Sequence, residues 1–338
     1  MKVCICGGGN LGLVCTGYLG SQKGIDVVVY TGNPSLWQTE IEVVDPSNQT
    51  FLCHPSVISD NAGELIPHSD MILLCLPGFA LESTLKKILP YITEGTVIGS
   101  VVCNTGFFFL AHEILPKSIP LFGFQRAPFI ARTVEYGRKA RLLGYKNELK
   151  IAVEGVQDCE KFRRDIETLF STPTRLLNNF YEASLSNSNP ILHTGRLFSM
   201  WSNWNGEVFD KQILFYKEWT NDASQLIIDM DSEFMRLPQS LGISENAIPS
   251  LLKYYESTDA ESLTRKIRSI SAFESIAAPM CKVRNGWVPD FKSRYFTEDF
   301  PFGLKYIVSS MKKHGLRAEI LNKVLLWGLD KCDYSELK

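Results

Sequence analysis

The sequence predicts a two-domain α/β chain, a doubly wound parallel-sheet half followed by an all-helical half, and three observations carry that prediction. A short apolar strand, Lys2-Val3-Cys4-Ile5-Cys6, runs straight into the glycine loop Gly7-Gly8-Gly9-Asn10-Leu11-Gly12. Short apolar runs then alternate with helix-period segments until Leu177, after which long helical periods replace them. The length, 338 residues, exceeds what one hydrophobic core ordinarily serves. The expected domains are therefore 1–177 and 178–338.

The loop has the spacing G-x-G-x-x-G, with Gly7 for the tight turn, Gly9 for close approach of a phosphate to the backbone and Gly12 for helix-on-strand packing. Free N–H groups and the dipole at the start of the following helix favour an anion. A strand before, a small-residue helix after (Leu11 to Leu19) and a second strand, Ile25 to Tyr30, make this a Rossmann-type dinucleotide-binding unit. Gly7, Gly9, Asn10, Leu11 and Gly12 are its candidate cofactor contacts.

An acid that reads the adenosine ribose normally stands about 20 residues past the loop. Here the segment is Tyr30-Thr31-Gly32-Asn33-Pro34. The missing carboxylate leans towards NADP(H), yet no Arg or Lys stands there to pair a 2′-phosphate, and Thr31, Asn33 and Trp37 are the candidates to hold it. The choice between NAD and NADP stays open.

Further along, Val43 to Val57 reads as a hairpin turning at Asp45-Pro46-Ser47-Asn48, and Ser69 to Leu76 as a strand buried on both faces. Pro77 ends that strand at the carboxyl edge of the sheet, where ligands bind in such folds, so Leu76 and Pro77 join the cofactor candidates. A helix from Leu81 to Tyr91 and a strand from Thr96 to Val102 follow. Leu121 to Phe124, Arg141 to Tyr145 and Lys150 to Val153 read as strands that give the sheet a mixed part, and Asp158 to Phe170 as a helix. In the second half the helix candidates are Lys217 to Arg236, Ile248 to Tyr255, Ala260 to Ser269, Leu304 to Lys313 and Ala318 to Leu329. Aromatics crowd Phe198 to Trp219 and suit a core or a homodimer face.

A net charge of −2, with 35 basic and 37 acidic residues spread along the chain, carries no footprint for nucleic acid or an anionic membrane. No apolar run reaches the length of a membrane span. The N-terminal apolar stretch is broken by glycines and reads as mature protein, not as a secretory signal. Nine cysteines occur without a C-x-x-C pair, which speaks against zinc or disulfides and fits a reducing cytoplasm.

Of five histidines, His193 lies in Asn187-Ser188-Asn189-Pro190-Ile191-Leu192-His193, where Pro190 suits a first helical turn capped by Ser188 or Asn189. Such a histidine is either structural or an acid/base group. Later, Arg294-Tyr295-Phe296-Thr297-Glu298-Asp299-Phe300-Pro301-Phe302-Gly303-Leu304 precedes a helical run, and there Asp299 reads first as a cap.

Together, the N-terminal glycine fingerprint, Asn-Pro-Ile-Leu-His at the head of the helical half and Arg-Tyr-x-x-x-Asp-x-Pro-x-Gly-Leu before a late helix resemble the opine dehydrogenases, within the wider 6-phosphogluconate dehydrogenase-like group. The resemblance spans nearly the whole chain. It implies an NAD(P)H-dependent reductive condensation of an amino acid with a 2-oxo acid, through an imine, to a secondary amine dicarboxylate. It implies His193 as general acid/base, Asp299 as the carboxylate that orients it, and Arg294, Gln125 and Arg132 as substrate contacts. One departure is Thr194-Gly195-Arg196 where relatives carry a proline after the histidine, which makes Arg196 a further candidate for substrate.

Two rivals remain. A ketopantoate reductase-like or other 2-oxo acid reductase shares this build but typically uses a lysine, and none stands at His193. A non-catalytic dinucleotide sensor needs none of His193, Asp299 and Arg294.

Overall fold

The computed structural model describes residues 1–334, the Thr105 side chain excepted, and divides into two compact units, Met1–Ser184 and Leu185 onward. The division falls a few residues past Leu177. The short helix Phe180–Ser184 stays with the first unit, where the Glu182 carbonyl accepts the Gln125 side-chain amide at 3.0 Å.

In chain order the first unit contains β1 (Lys2–Cys6), β2 (Asp26–Tyr30), β3 (Ile41–Val44), β4 (Thr50–Cys53), β5 (Val57–Ser59), β6 (Met71–Leu74), β7 (Val97–Ser100), β8 (Leu121–Phe124), β9 (Phe129–Glu135), β10 (Lys139–Tyr145), β11 (Leu149–Glu154) and β12 (Thr174–Leu176). Eight of them form one sheet in the order β12-β11-β8-β7-β6-β1-β2-β5. All pairs are parallel except β8 with β11. The continuous apolar run of β6 is buried at every position, as a strand covered on both faces must be. From β1 the chain moves outward to β2 on one side and later to β6 on the other, which makes the carboxyl end of β1 the switch point where such sheets bind ligands.

The mixed extension of the sheet is β11 and β12 alone. The segment around Arg141 to Tyr145 leaves it. As β10 it joins a separate sheet, β4-β3-β10-β9, which packs on the helix Asn10–Gly20. Only pairing with β3, nearly a hundred residues earlier, distinguishes the two outcomes, and strand pattern carries no partner information. The helix Phe107–Ile114 also escaped sequence reading, because Phe107-Phe108-Phe109-Leu110 is apolar on every side and shows no period.

The second unit is built on the helices Asn189–Trp201, Asn221–Ser240, Ala260–Ser269, Lys305–Lys313 and Glu319–Lys331. It is not entirely helical. Met280–Val283 (β13) pairs antiparallel with Gly286–Pro289 (β14), and Asn285-Gly286 ahead of Trp287-Val288 is the hairpin signal in the sequence. Trp201, Phe215, Tyr216 and Trp219 are buried and build the core, while Phe198, Trp204 and Phe209 are half-buried. Among the described residues no helix is long and apolar enough to cross a membrane.

Within this core Asp231 accepts the Leu251 N–H at 2.8 Å, and burial raises its pKa to about 6. A carboxyl whose folded pKa lies above its unfolded value holds its proton longer when folded. Its contribution is most favourable below about pH 4 and is lost as pH rises through about 6. Asp231→Asn, which keeps an acceptor for Leu251, therefore stabilises the protein by about 2 kcal/mol at pH 7.5 and by little at pH 4. Denaturant melts at the two pH values check this; a destabilised variant at pH 7.5 contradicts it.

Candidate active site

Two sets of residues carry chemistry, one in each unit. In the first, the loop after β1 turns at Gly7, whose φ of +112° is a left-handed value that favours glycine. A Cβ on Gly7 would stand 2.7 Å from the Cys75 carbonyl, and one on Gly12 would meet the Gly7 carbonyl. These two glycines let the loop fold tightly between β1 and β6. At Gly9, by contrast, a Cβ would meet nothing within 4 Å. Gly9 is the N-cap of the helix Asn10–Gly20, with no side-chain cap and no acid in the first turn. Open space before uncapped N–H groups is what a pyrophosphate requires, and these residues fit one.

The other cofactor candidates frame that space. Asn10 accepts the Thr133 N–H at 2.9 Å and so ties β9 to the loop, while Leu11 is half-buried. The Leu76 side chain flanks Gly7, and Pro77 is the N-cap of the helix Gly78–Ile88. Beyond β2, the Thr31 hydroxyl lies 3.4 Å from that of Tyr136 and accepts the Asn33 N–H. Tyr136 and Trp37 overhang Gly8, an approach absent from the sequence reading of Tyr136 because the residue comes from the β9–β10 turn.

The second set centres on His193. Pro190 starts the unbroken helix Asn189–Trp201, and Ser188 occupies the N-cap position without a side-chain cap bond. Thr194 follows His193 without interrupting that helix. Its neighbour in space is the turn Phe300–Leu304, a π-helical turn following the short helix Arg294–Thr297. Gly303 permits the contact, since a Cβ there would stand 2.7 Å from the Pro190 ring.

Asp299 is the residue before that π turn, yet its side chain caps nothing. It lies 2.8 Å from His193 Nδ1, across 106 positions of sequence. The capping reading of Asp299 is thereby replaced. Both side chains are well buried, at 11% and 19% exposed, so their attraction is little weakened by water. π-helical turns are rare and frequent at functional sites, and this one directly follows Asp299.

The other imidazole nitrogen is engaged too. His193 Nε2 is 2.9 Å from the Tyr216 hydroxyl, and Tyr295 packs its ring 4.8 Å from the imidazole. The Tyr295 ring also packs on Phe215, at 5.1 Å. Burial raises the pKa of both phenols, and the negative charge of Asp299 raises them further.

Arg196 is the residue that holds Tyr216 in place. Its guanidinium donates to the Phe215 carbonyl at 3.2 Å and the Glu218 carbonyl at 2.7 Å, and lies over the Trp219 ring. It is 3% exposed, and burial lowers its pKa to about 10. Arg196 is thus a clamp on the segment carrying Tyr216 and not a substrate contact. The same clamp explains why the helix expected from Lys217 begins only at Asn221, where Thr220 caps it.

Arg294 is exposed and, among the described residues, has no hydrogen-bond or ionic partner for its guanidinium. Gln125 and Arg132 belong to the first unit. Gln125 gives its amide to Glu182, whereas Arg132 lies exposed on β9 opposite Arg141. Tyr216 was invisible to sequence reasoning because nothing in its spacing links it to His193. Tyr295 lies inside the arginine-to-aspartate motif, and that position is its signal.

Comparison with known proteins places each unit. Residues 176–332 match the family model of the NAD/NADP octopine/nopaline dehydrogenase alpha-helical domain, and residues 3–103 match that of ketopantoate reductase PanE/ApbA. The chain is 24% identical to octopine dehydrogenase of Pecten maximus over 360 residues, covering 98% of this chain and 90% of that protein. It is also 24% identical to tauropine dehydrogenase of Arabella iricolor, over 96% of this chain and 89% of that one. A solved octopine dehydrogenase with NADH and L-arginine superposes with a TM-score of 0.87 at 24% identity, covering 98% of this chain and 90% of that chain. Residues 176–332 thus match the octopine/nopaline dehydrogenase alpha-helical domain, and nearly the whole chain is similar to opine dehydrogenases, which are oxidoreductases.

Proposed function

We propose that the protein is an NAD(P)H-dependent opine dehydrogenase that condenses an amino acid with a 2-oxo acid and reduces the resulting imine to a secondary amine. The observation that carries this reading is the bond between His193 and Asp299. A carboxylate on Nδ1 fixes one tautomer of the neutral ring and stabilises the imidazolium, which suits a group that gives and takes one proton near neutral pH. The nicotinamide would supply the hydride. The protein must then supply the proton, a grip on carboxylates and a place for the dinucleotide.

Gly7, Gly9 and Gly12 provide that place, with Asn10, Leu11, Leu76 and Pro77 around it and Thr31 and Asn33 towards the ribose. The segment Tyr30–Pro34 after β2 contains neither an acid nor a base, so both NAD and NADP remain candidates, in keeping with the family description. Arg294, whose guanidinium has no partner among the described residues and which directly precedes Tyr295 of the His193 site, is the proposed grip on a substrate carboxylate. Arg294→Lys is expected to raise the KM of one carboxylate substrate about tenfold with kcat little changed, because an ammonium cannot reproduce the bidentate geometry. Initial rates against each substrate in turn check this, and a KM unchanged for both contradicts it.

A plain 2-oxo acid reductase is the second reading, favoured by the ketopantoate reductase match. That match covers only the dinucleotide-binding part, residues 3–103, and the residues around His193 fall in the other. Cofactor oxidation by amino acids and 2-oxo acids, singly and in pairs, separates the readings. We expect oxidation only with a pair; equal rates with the oxo acid alone favour the reductase, and no oxidation with any pair favours a sensor.

A further inference from the structure

We propose that the hydroxyl of Tyr136 replaces the acid missing after β2: it holds the adenosine ribose of the dinucleotide at the 2′ position and admits NADH and NADPH alike. The inference rests on the cofactor site given above to the glycine loop, and it deepens that reading. In a unit of this kind the pyrophosphate lies at the helix start after β1, and the ribose lies between that loop and the end of β2. One side chain touches both ends of this interval. The Tyr136 hydroxyl stands 2.5 Å from where a Cβ of Gly8 would be, and 3.4 Å from the hydroxyl of Thr31, the residue after β2.

Gly8 is the free position of G-x-G-x-x-G, so the fingerprint alone supplies no reason for a glycine there. The packing supplies one. A side chain on residue 8 would push against Tyr136 and against the edge of the Trp37 ring, 3.2 Å from the same point. Next to that ring edge the indole N–H of Trp37 is buried with no acceptor among the described residues, so this cluster is short of acceptors. Ligand oxygens are the chemistry it lacks.

Tyr136 directly follows β9, and its turn is locked in place. Gly137, at φ +69°, lays its backbone against Leu36 and Trp37, and its carbonyl accepts the Gln38 N–H at 2.9 Å. The Trp37 and Tyr136 rings meet edge-on at 6.2 Å. The bond from the Thr133 N–H to Asn10 ties the same strand to the helix that follows the glycine loop. Tyr136 is still 38% exposed, which leaves it open to a ligand, whereas Thr31 is 5% exposed and serves to orient it.

The exchange of acid for phenol changes what the site tolerates. A carboxylate only accepts hydrogen bonds, and its charge repels a 2′-phosphate. A neutral hydroxyl donates to a phosphate oxygen, and either donates to or accepts from a ribose hydroxyl. In the same turn Arg138 is paired with Glu135 at 3.0 Å, so its charge is not free to favour the phosphate.

The test titrates the whole protein with NADH and NADPH by fluorescence, and displaces them with ADP and with 2′-deoxy-ADP. The wild type is expected to bind the two dinucleotides within about tenfold of each other, and ADP about fivefold more tightly than 2′-deoxy-ADP, the worth of one hydrogen bond. Tyr136→Phe keeps the ring and should weaken both dinucleotides about fivefold while binding ADP and 2′-deoxy-ADP equally. Thr31→Val, which removes the orienting hydroxyl, should shift the same affinities in the same direction. Wild-type affinities in Tyr136→Phe overturn the proposal. So does a variant that still tells ADP from 2′-deoxy-ADP, which moves the hydroxyl to the pyrophosphate, or a wild type that prefers one dinucleotide by more than about tenfold. Gly9→Asp separates the two levels of the argument. If it binds NADH as the wild type does, or if the wild type binds neither dinucleotide, the glycine loop leaves the cofactor site and the proposal falls with it; if it loses NADH while Tyr136→Phe does not, only the role of Tyr136 falls.

Discussion

His193→Asn lowers kcat by about 10²- to 10⁴-fold while the affinity for NAD(P)H stays at the wild-type value. Asparagine is short, polar and does not titrate near neutral pH, so it removes proton transfer without opening a large cavity. The substitution also leaves Asp299 without its nitrogen partner, and the carboxylate is only 19% exposed. A loss of thermal stability therefore accompanies the kinetic loss, and kcat is read below the onset of melting. Binding is expected to survive because the glycine loop belongs to the other unit. Rapid mixing of enzyme, NAD(P)H and both substrates measures the chemical step; a rate within a few-fold of wild type assigns the histidine to structure.

Gly9→Asp has an equally large expected effect, on binding and not on chemistry. Gly9 has φ −77° and ψ −170°, an extended backbone that any residue adopts, and a Cβ there meets nothing. Aspartate is among the best N-cap residues, so the fold is expected to keep or slightly exceed its stability. Its carboxylate, however, takes the N–H groups and the space that a pyrophosphate needs and repels it by charge. Cofactor affinity should fall by at least about 10²-fold, equivalent to roughly 3 kcal/mol. A fluorescence titration beside a thermal melt checks both halves. Undiminished binding with unchanged stability removes the loop from the cofactor site.

The legible parts of this fold were those encoded locally. The order from β1 through the glycine loop to β2 and β6 follows from short apolar runs and one glycine pattern, and the helix Ala260–Ser269 has the bounds its period suggests. What escaped depends on partners distant in sequence. Lys139–Tyr145 reads as a strand, but β3 decides which sheet it enters. Asp299 has the sequence of a helix cap, and only the π turn at Phe300–Leu304 directs it to His193. Resemblance to a family links these two residues; composition and spacing alone leave each ambiguous.

Arg196 shows the reverse case. An extra arginine three positions after a catalytic candidate invites a substrate role, and its helical spacing does place it near the same face as His193. Burial decides otherwise. A guanidinium 3% exposed and bonded to two carbonyls is part of the scaffold, and here the scaffold is the segment that presents Tyr216. Tyr216 in turn could not be read from sequence, because it stands 23 positions from His193, beyond the end of the helix that carries the histidine.

The central claim, that this site joins an amine to a 2-oxo acid before reduction, is tested most directly by the mass of the product formed from a nitrogen-labelled amino acid, an unlabelled 2-oxo acid and NAD(P)H. The account predicts a single secondary amine that retains the label and carries both carbon skeletons. An unlabelled 2-hydroxy acid as the product, with the amino acid recovered unchanged, would contradict it.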